Sequence, residues 1–269
     1  MNPADPLPEM AAWLKVEEVP AADMTHDFFI EKYFNTRTPV LLKGASTYWE
    51  FMQKWTRDYL TSEMGDFLCT VARDSRPAYS KEKCSLRDYF QHYSHLSTMT
   101  FGAFKPEDQH LPKFLQDIPL PNPFFSRQAI CAYFFFHANE QGGSLPHCHQ
   151  DAFNLLQQGT KRWIMYDADP EIAPKGWQAL KHCHEEYAAG THAKDWFVDG
   201  PDQVRKQGVT IYECEQQAGD IVFIPEHFSH AILNLSENQG MVIITERPGK
   251  VYQKEAGSGY SPNAAYAKY

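Results

Sequence analysis

The chain has 269 residues, 43% of them hydrophobic, enough for one large domain with a sizeable core. Its formal charge of −9, with no Lys/Arg cluster, argues against a nucleic-acid partner. There is no run of about 18 apolar residues and no basic start leading into an apolar run, so neither a membrane span nor a signal peptide is expected, and the cytoplasm or nucleus is the expected place.

Residues 1–128 read as a helical and strand lead-in packed on a β core. Within it, Thr25–Tyr33 reads as a helix that Thr25 or Asp27 could cap, and Thr38–Gly44 as a short strand ended by Gly. Tyr48–Leu60 carries helical periodicity through Trp49, Phe51, Met52, Trp55 and Leu60. Phe67–Ala72 reads as a strand, Ser85–Tyr93 as a helix capped by Ser85, and Leu111–Ile118 as a helix ended by a Pro-rich loop.

From residue 129 the pattern becomes mainly β, and 129–247 is the expected core. Ile130–Ala138 is an aromatic strand and Gly142-Gly143-Ser144-Leu145-Pro146 a turn. Phe153–Gln157 and Lys161–Tyr166 carry a hairpin signal through Gln158-Gly159-Thr160. Residues 167–207 form a polar insertion, read as loop and short helix, that could shape a substrate entrance. Val209–Cys214, Ile221–Ile224, His230–Leu235 and Met241–Thr245 are strand-like, and 248–269 is an irregular tail. Short strands at this spacing favour a sandwich or barrel, and the 14% of aromatic residues suits a β-rich interior with a lined pocket.

Six cysteines, at 69, 84, 131, 148, 183 and 214, include no C-x-x-C pair and read as free thiols. A homodimer is compatible with the sequence, and nothing in it requires one.

The chemistry concentrates in two segments. His147-Cys148-His149-Gln150-Asp151 offers metal ligands at alternate positions, which share one face of an extended strand. Gly219-Asp220-Ile221-Val222-Phe223-Ile224-Pro225 then leads to a remote His230. Two close ligands and one remote His leave positions open on a metal, as a non-heme Fe(II) centre needs when it also binds a co-substrate and dioxygen. His147, His149 and His230 are candidate ligands, with Asp151 the alternative to His147. His182-Cys183-His184 reads as part of a solvated loop, and His227 as a wall residue. Lys161 opens a strand in aromatic surroundings, where a buried ammonium needs an anion. A dicarboxylate would supply one, with Ser144 and Asn154 adding hydrogen bonds.

These residues resemble a known family. Gly219-x5-Pro225-x4-His230-x3-Asn234 resembles the second cupin motif, with His227 where Gly is usual. Asn154-Leu155-Leu156-x2-Gly159-x-Lys161-Arg162-Trp163 resembles the strand pair of JmjC-type cupins, and Pro39–Gly44 followed by Lys54-Trp55-Thr56 resembles their lead-in. The resemblance implies a double-stranded β-helix and Fe(II)- and 2-oxoglutarate-dependent hydroxylation of a protein side chain or small molecule. It also implies that Lys161 holds the distal carboxylate of 2-oxoglutarate, that Ser144 is the hydroxyl residue three before the first ligand, and that His230 is the distal metal ligand. The family pair is His-x-Asp, and two registers are open here. His147 with His149 keeps Ser144 and the spacing to Lys161 in place, whereas His149 with Asp151 keeps the carboxylate. A three-His dioxygenase without 2-oxoglutarate and a metal-free binding protein are the alternatives.

Overall fold

The structure is a computed structural model that describes residues 10–73, 82–95, 99–104, 109–119, 130–187 and 190–247. Its strands are β1 (Trp13–Lys15), β2 (Glu17–Pro20), β3 (Val40–Lys43), β4 (Leu68–Ala72), β5 (Lys83–Ser85), β6 (Met99–Phe104) and β7 (Ile130–Ala138). There follow β8 (Gly143–His147), β9 (Asp151–Gln158), β10 (Thr160–Asp167), β11 (Ile211–Gln217), β12 (Ile221–Ile224), β13 (Phe228–Asn234) and β14 (Asn238–Thr245). They form a small sheet in the order β1-β11-β10-β13-β8 and a large sheet in the order β2-β3-β12-β9-β14-β7-β6-β4-β5. Between β7 and β14 the chain repeatedly crosses from one sheet to the other. That winding is a double-stranded β-helix, mainly β with flanking helices.

Period-2 alternation sorts the side chains into three layers. Between the sheets lie Phe134, Ala152, Val222 and Ile244 from the large sheet, facing Trp163, Met165 and Ile232 from the small one. Their neighbours along the large sheet, Phe153, Leu155, Phe223 and Ile243, point outward and are covered by the aromatic lead-in through Phe29, Tyr33 and Trp55. On the outer face of the small sheet, Ile164, Tyr166 and Ala231 are covered by Leu180, Trp196 and Val204. Both faces of both sheets are therefore buried, which explains the near-continuous apolar runs in the strands.

The first helix, α1 (His26–Phe29), runs on into a π-helical turn over Ile30–Phe34. The Thr25 hydroxyl caps it by accepting the Phe28 N–H at 3.2 Å. The single helix expected over Tyr48–Leu60 is instead two, α2 (Phe51–Lys54) and α3 (Arg57–Glu63). Thr56 takes an extended conformation between them and caps α3 through the Tyr59 N–H at 3.2 Å, while the Trp55 indole donates to buried Asp117 at 2.9 Å. Burying and anchoring the indole outweighs continuous helix. Ser85 caps α4 (Leu86–Asp88), which continues as a π-helical turn over Tyr89–Tyr93, and α5 spans Leu111–Gln116.

Three expectations are corrected. Gly142–Pro146 is not a turn, since most of it forms β8. There a Cβ on Gly143 (φ +141°) would lie 1.9 Å from the Ile232 carbonyl oxygen, so glycine marks a close backbone approach. Pro146 is tolerated because β8 lies at the edge of its sheet. β9 and β10 are not a hairpin, because Gly159 (φ +88°) turns the chain from the large sheet into the small one. The insertion is two long helices rather than loop and short helix, with α6 (Pro174–Glu186) and α7 (Ala193–Lys206) packed on the outer face of the small sheet. The Pro-rich stretch within 120–129 and the tail 248–269 lie outside the described residues. No helix among the described residues is long and apolar enough to cross a membrane.

Candidate metal centre

His147 ends β8 and pairs directly with His230 of β13 in the small sheet. Residues 148–150 then turn the corner, and Asp151 begins β9 in the opposite sheet. Positions 147, 149 and 151 therefore do not share one strand face, contrary to the expectation from an uninterrupted strand. The corner folds His149 back, so that His147, His149 and His230 bring one ligand nitrogen each to within 4.8 Å of the others. The ring centroids are 5.7 Å apart for His147 and His149, 4.2 Å for His147 and His230, and 4.7 Å for His149 and His230.

Each ring is tied at its back. Nδ1 of His147 meets the Leu145 carbonyl at 2.9 Å, Nδ1 of His149 the Gln150 carbonyl at 2.7 Å, and Nδ1 of His230 the Phe228 carbonyl at 3.0 Å. A carbonyl only accepts, so in the neutral rings Nδ1 carries the hydrogen and Nε2 is the unprotonated nitrogen. Burial lowers the His147 pKa to about 4 and, with help from the His147 charge, the His149 pKa to about 3. It holds His230 well below the ordinary value, as do His147 and His149 beside it. The cluster is three neutral imidazoles, the protonation state a metal requires.

Asp151 is fully buried and turned to Arg247, with Oδ2 2.7 Å from Nε and Oδ1 accepting from Nη2 at 2.8 Å. Oδ1 also accepts the Glu226 N–H at 2.8 Å. Burial raises the Asp151 pKa against the pull of Arg247. His227 sits beside this group at φ 62°, a left-handed conformation that accounts for glycine being usual there, and its N–H donates to the His149 carbonyl at 3.1 Å. The Asp151–Arg247–Glu226 network thus braces the corner that carries His149. Sequence reasoning missed it, because Arg247 has no motif around it and lies 96 residues from its partner.

Behind the histidines, cross-strand partners place a second group between the sheets. Lys161 pairs with Asn234, Ser144 with Ile232, and Asn154 with Val222 and Val242. Lys161 is buried, with Nζ 3.4 Å from the centre of the Phe136 ring and 5.8 Å from that of Trp163. Burial drives its pKa well below the ordinary lysine value. Ser144 Oγ and Asn154 Oδ1 are buried and have no hydrogen-bond partner among the described residues. Among the described residues no carboxylate offsets the burial of Lys161, and together with the two unsatisfied polar atoms of the same interior it forms a donor set that a small dicarboxylate would complete.

The histidines of the insertion lie outside the cluster. His182 is exposed beside Glu186 at 3.1 Å, Cys183 is buried, and His184 Nε2 donates to the Pro146 carbonyl at 2.9 Å. The expected solvated loop is therefore a helix whose inner face grips the strand ahead of His147.

A family profile described as a cupin-like domain matches residues 25–245. The chain is 26% identical to Arginine-specific demethylase JMJ22 of Arabidopsis thaliana over 249 residues, covering 84% of this chain and 45% of that protein. It is 26% identical to human JmjC domain-containing protein 8 over 220 residues, 80% of this chain and 78% of the relative. Against 2-oxoglutarate and iron-dependent oxygenase JMJD4 of Gallus gallus it is 23% identical over 241 residues, 78% of this chain and 55% of the relative. This chain thus spans about half the length of two of these three relatives.

Proposed function

The chain belongs to the cupin-like domain family, and on that premise we propose that it is an iron(II)- and 2-oxoglutarate-dependent oxygenase with His147, His149 and His230 as its metal ligands. The observation that carries this reading is the convergence of three neutral imidazoles, each tied at Nδ1 to a backbone carbonyl. Such ties fix the tautomer and ring orientation a metal needs.

When bound, the metal would let dioxygen serve as the oxidant, one oxygen atom going to the hydroxylated substrate and the other to succinate as the 2-oxo acid loses carbon dioxide. The chain's own residues bind and orient. Lys161 takes the distal carboxylate, and its charge, unfavourable while buried alone, becomes favourable against that anion. Ser144 and Asn154 complete the hydrogen bonding. Phe136 and Trp163 wall the ammonium off from water. Asp151 braces the corner through Arg247 and is not a ligand in this reading. The relatives' names put protein side chains, arginine foremost, ahead of small molecules as substrates.

A donor set of three histidines with no carboxylate also favours a second reading, a three-His dioxygenase that needs no 2-oxo acid. One experiment separates the two. Protein purified without oxygen is loaded with Fe(II), and succinate release from 2-oxoglutarate is measured with a panel of arginine- and lysine-containing peptides. Iron-dependent succinate release that is abolished in His230→Ala supports the first reading. Iron-dependent oxygen consumption without succinate supports the second and overturns the first.

A further inference from the structure

Cys69 and Cys84 are direct partners across the antiparallel strands β4 and β5, 15 residues apart in sequence. The Cys69 thiol reaches across the pair, with Sγ 3.6 Å from the Cys84 carbonyl oxygen. Two residues away on either side, the Val71 N–H donates to Glu82 and the Leu86 N–H to Phe67, both at 2.8 Å. The cysteines therefore occupy a hydrogen-bonded position of the ladder, where Cα atoms lie about 5.5 Å apart. That spacing falls inside the roughly 4.4–6.8 Å range a disulfide spans.

We propose that Cys69 and Cys84 are a reversible redox pair, which a hydroperoxide converts to a cross-strand disulfide. The order of events follows from exposure. Cys69 is buried at 1% exposure, and Cys84 is partly exposed on β5, at the edge of the large sheet. The Cys84 thiol is also held below its ordinary pKa by the Cys69 side chain facing it, which outweighs burial and the nearby Asp88 and Glu82. The thiolate is the reactive form, so Cys84 reacts first. Its sulfur displaces an alkoxide or hydroxide from the peroxide O–O bond, giving the sulfenic acid and, after protonation, an alcohol or water. The Cys69 sulfur then attacks the Cys84 sulfur. The S–S bond forms, the S–O bond breaks, and water leaves with the Cys69 proton. Two thiols have lost two electrons to one peroxide.

The bond is expected to be easily reduced. Side chains at a hydrogen-bonded position stand farther apart than at the alternate position, so closing the bond pulls the strands from their ladder geometry. Strained bridges of this kind are the labile, regulatory ones. Cys148, Cys183 and Cys214 are each buried, and burial pushes the Cys214 thiol up, which leaves Cys84 the most reactive of these described thiols.

Folded, full-length protein with a chelator present is treated with hydrogen peroxide, alkylated and peptide-mapped. The expected result is a Cys69–Cys84 linked peptide lacking two hydrogens, restored by dithiothreitol. Cys69→Ser is expected to leave a Cys84 sulfenic acid that dimedone traps, with no link, and Cys84→Ser to leave Cys69 reduced. The wild-type map decides the matter even if a variant fails to fold. Cys69 and Cys84 both remaining reduced, or Cys84 oxidising to sulfinic acid with no link to Cys69, overturns the proposal.

Discussion

The carboxylate of Asp151 is bound by Arg247, Oδ2 to Nε at 2.7 Å, and lies outside the group of nitrogens formed by His147, His149 and His230. The residue that would restore a His-x-Asp ligand pair is thus already committed to an ion pair behind the metal corner. Turning it toward a metal would leave the Arg247 charge half-buried beside Glu226 without its closest partner.

Asp151→Asn is expected to cost stability and to weaken metal binding without abolishing it. Breaking a buried ion pair by changing one partner costs about 3–5 kcal/mol. Loss of a group that braces a ligand weakens metal binding by roughly 10–100-fold, short of abolishing it. His149→Ala is expected to remove binding altogether. Urea denaturation and a Co(II) titration of both variants check this, and Asp151→Asn losing metal as completely as His149→Ala would restore Asp151 to the ligand set.

Gly143→Ala tests the close approach of β8 to β13. A Cβ there would meet the Ile232 carbonyl oxygen at 1.9 Å, in a backbone conformation few L-residues adopt. Backbone atoms cannot swing aside as a side chain can, so β8 must shift and carry Ser144 and His147 with it. A loss of at least about 2 kcal/mol is expected. Wild-type stability in a denaturant titration would mean that β8 does not approach as closely as described.

The three histidines were legible because ligand chemistry survives in one dimension, as two near neighbours and a remote His beyond Pro225. Lys161 was legible for the same reason, as a charged residue in an apolar strand. Features that depend on distant partners were not. Gly143 and Pro146 read as a turn, because a glycine demanded by Ile232 looks like one demanded by a bend. Gly159 signalled a reversal but not that the two strands would join different sheets. Helix α7 was obscured by its internal Gly200 and Pro201, residues that ordinarily end a helix.

The buried histidines make the metal-free fold acid-sensitive. His149 is 4% exposed, and its pKa falls to about 3 in the folded state, against about 6.5 when unfolded. Between those values the unfolded chain binds the extra proton, so stability is full above pH ~6.5 and declines as pH falls, by about 1.4 kcal/mol per unit for each such group. Chelator-treated protein denatured in urea at a series of pH values between 7 and 4.5 should show this slope, and His149→Ala should show a shallower one. Equal slopes would mean that His149 does not titrate as a buried imidazole.

Lys161 links 2-oxoglutarate binding to a proton. Burial holds its pKa well below the ordinary value, and no carboxylate among the described residues offsets the cost of its charge. The distal carboxylate would stabilise the ammonium and raise that pKa. At any pH between the two values, the ligand-free lysine is largely neutral and the bound one charged, so binding takes up a proton and tightens as pH falls through the window. Lys161→Ala removes a charge-assisted contact worth about 1.5–3 kcal/mol, or one to two decades of affinity. Anaerobic calorimetry with Mn(II) in place of iron, repeated in buffers of different ionisation enthalpy, reads both effects. Wild-type protein should show net proton uptake, and Lys161→Ala should show none, with Mn(II) affinity unchanged. Equal 2-oxoglutarate affinity and equal proton uptake in the two proteins would remove Lys161 from the site and leave the burial of its charge without a function.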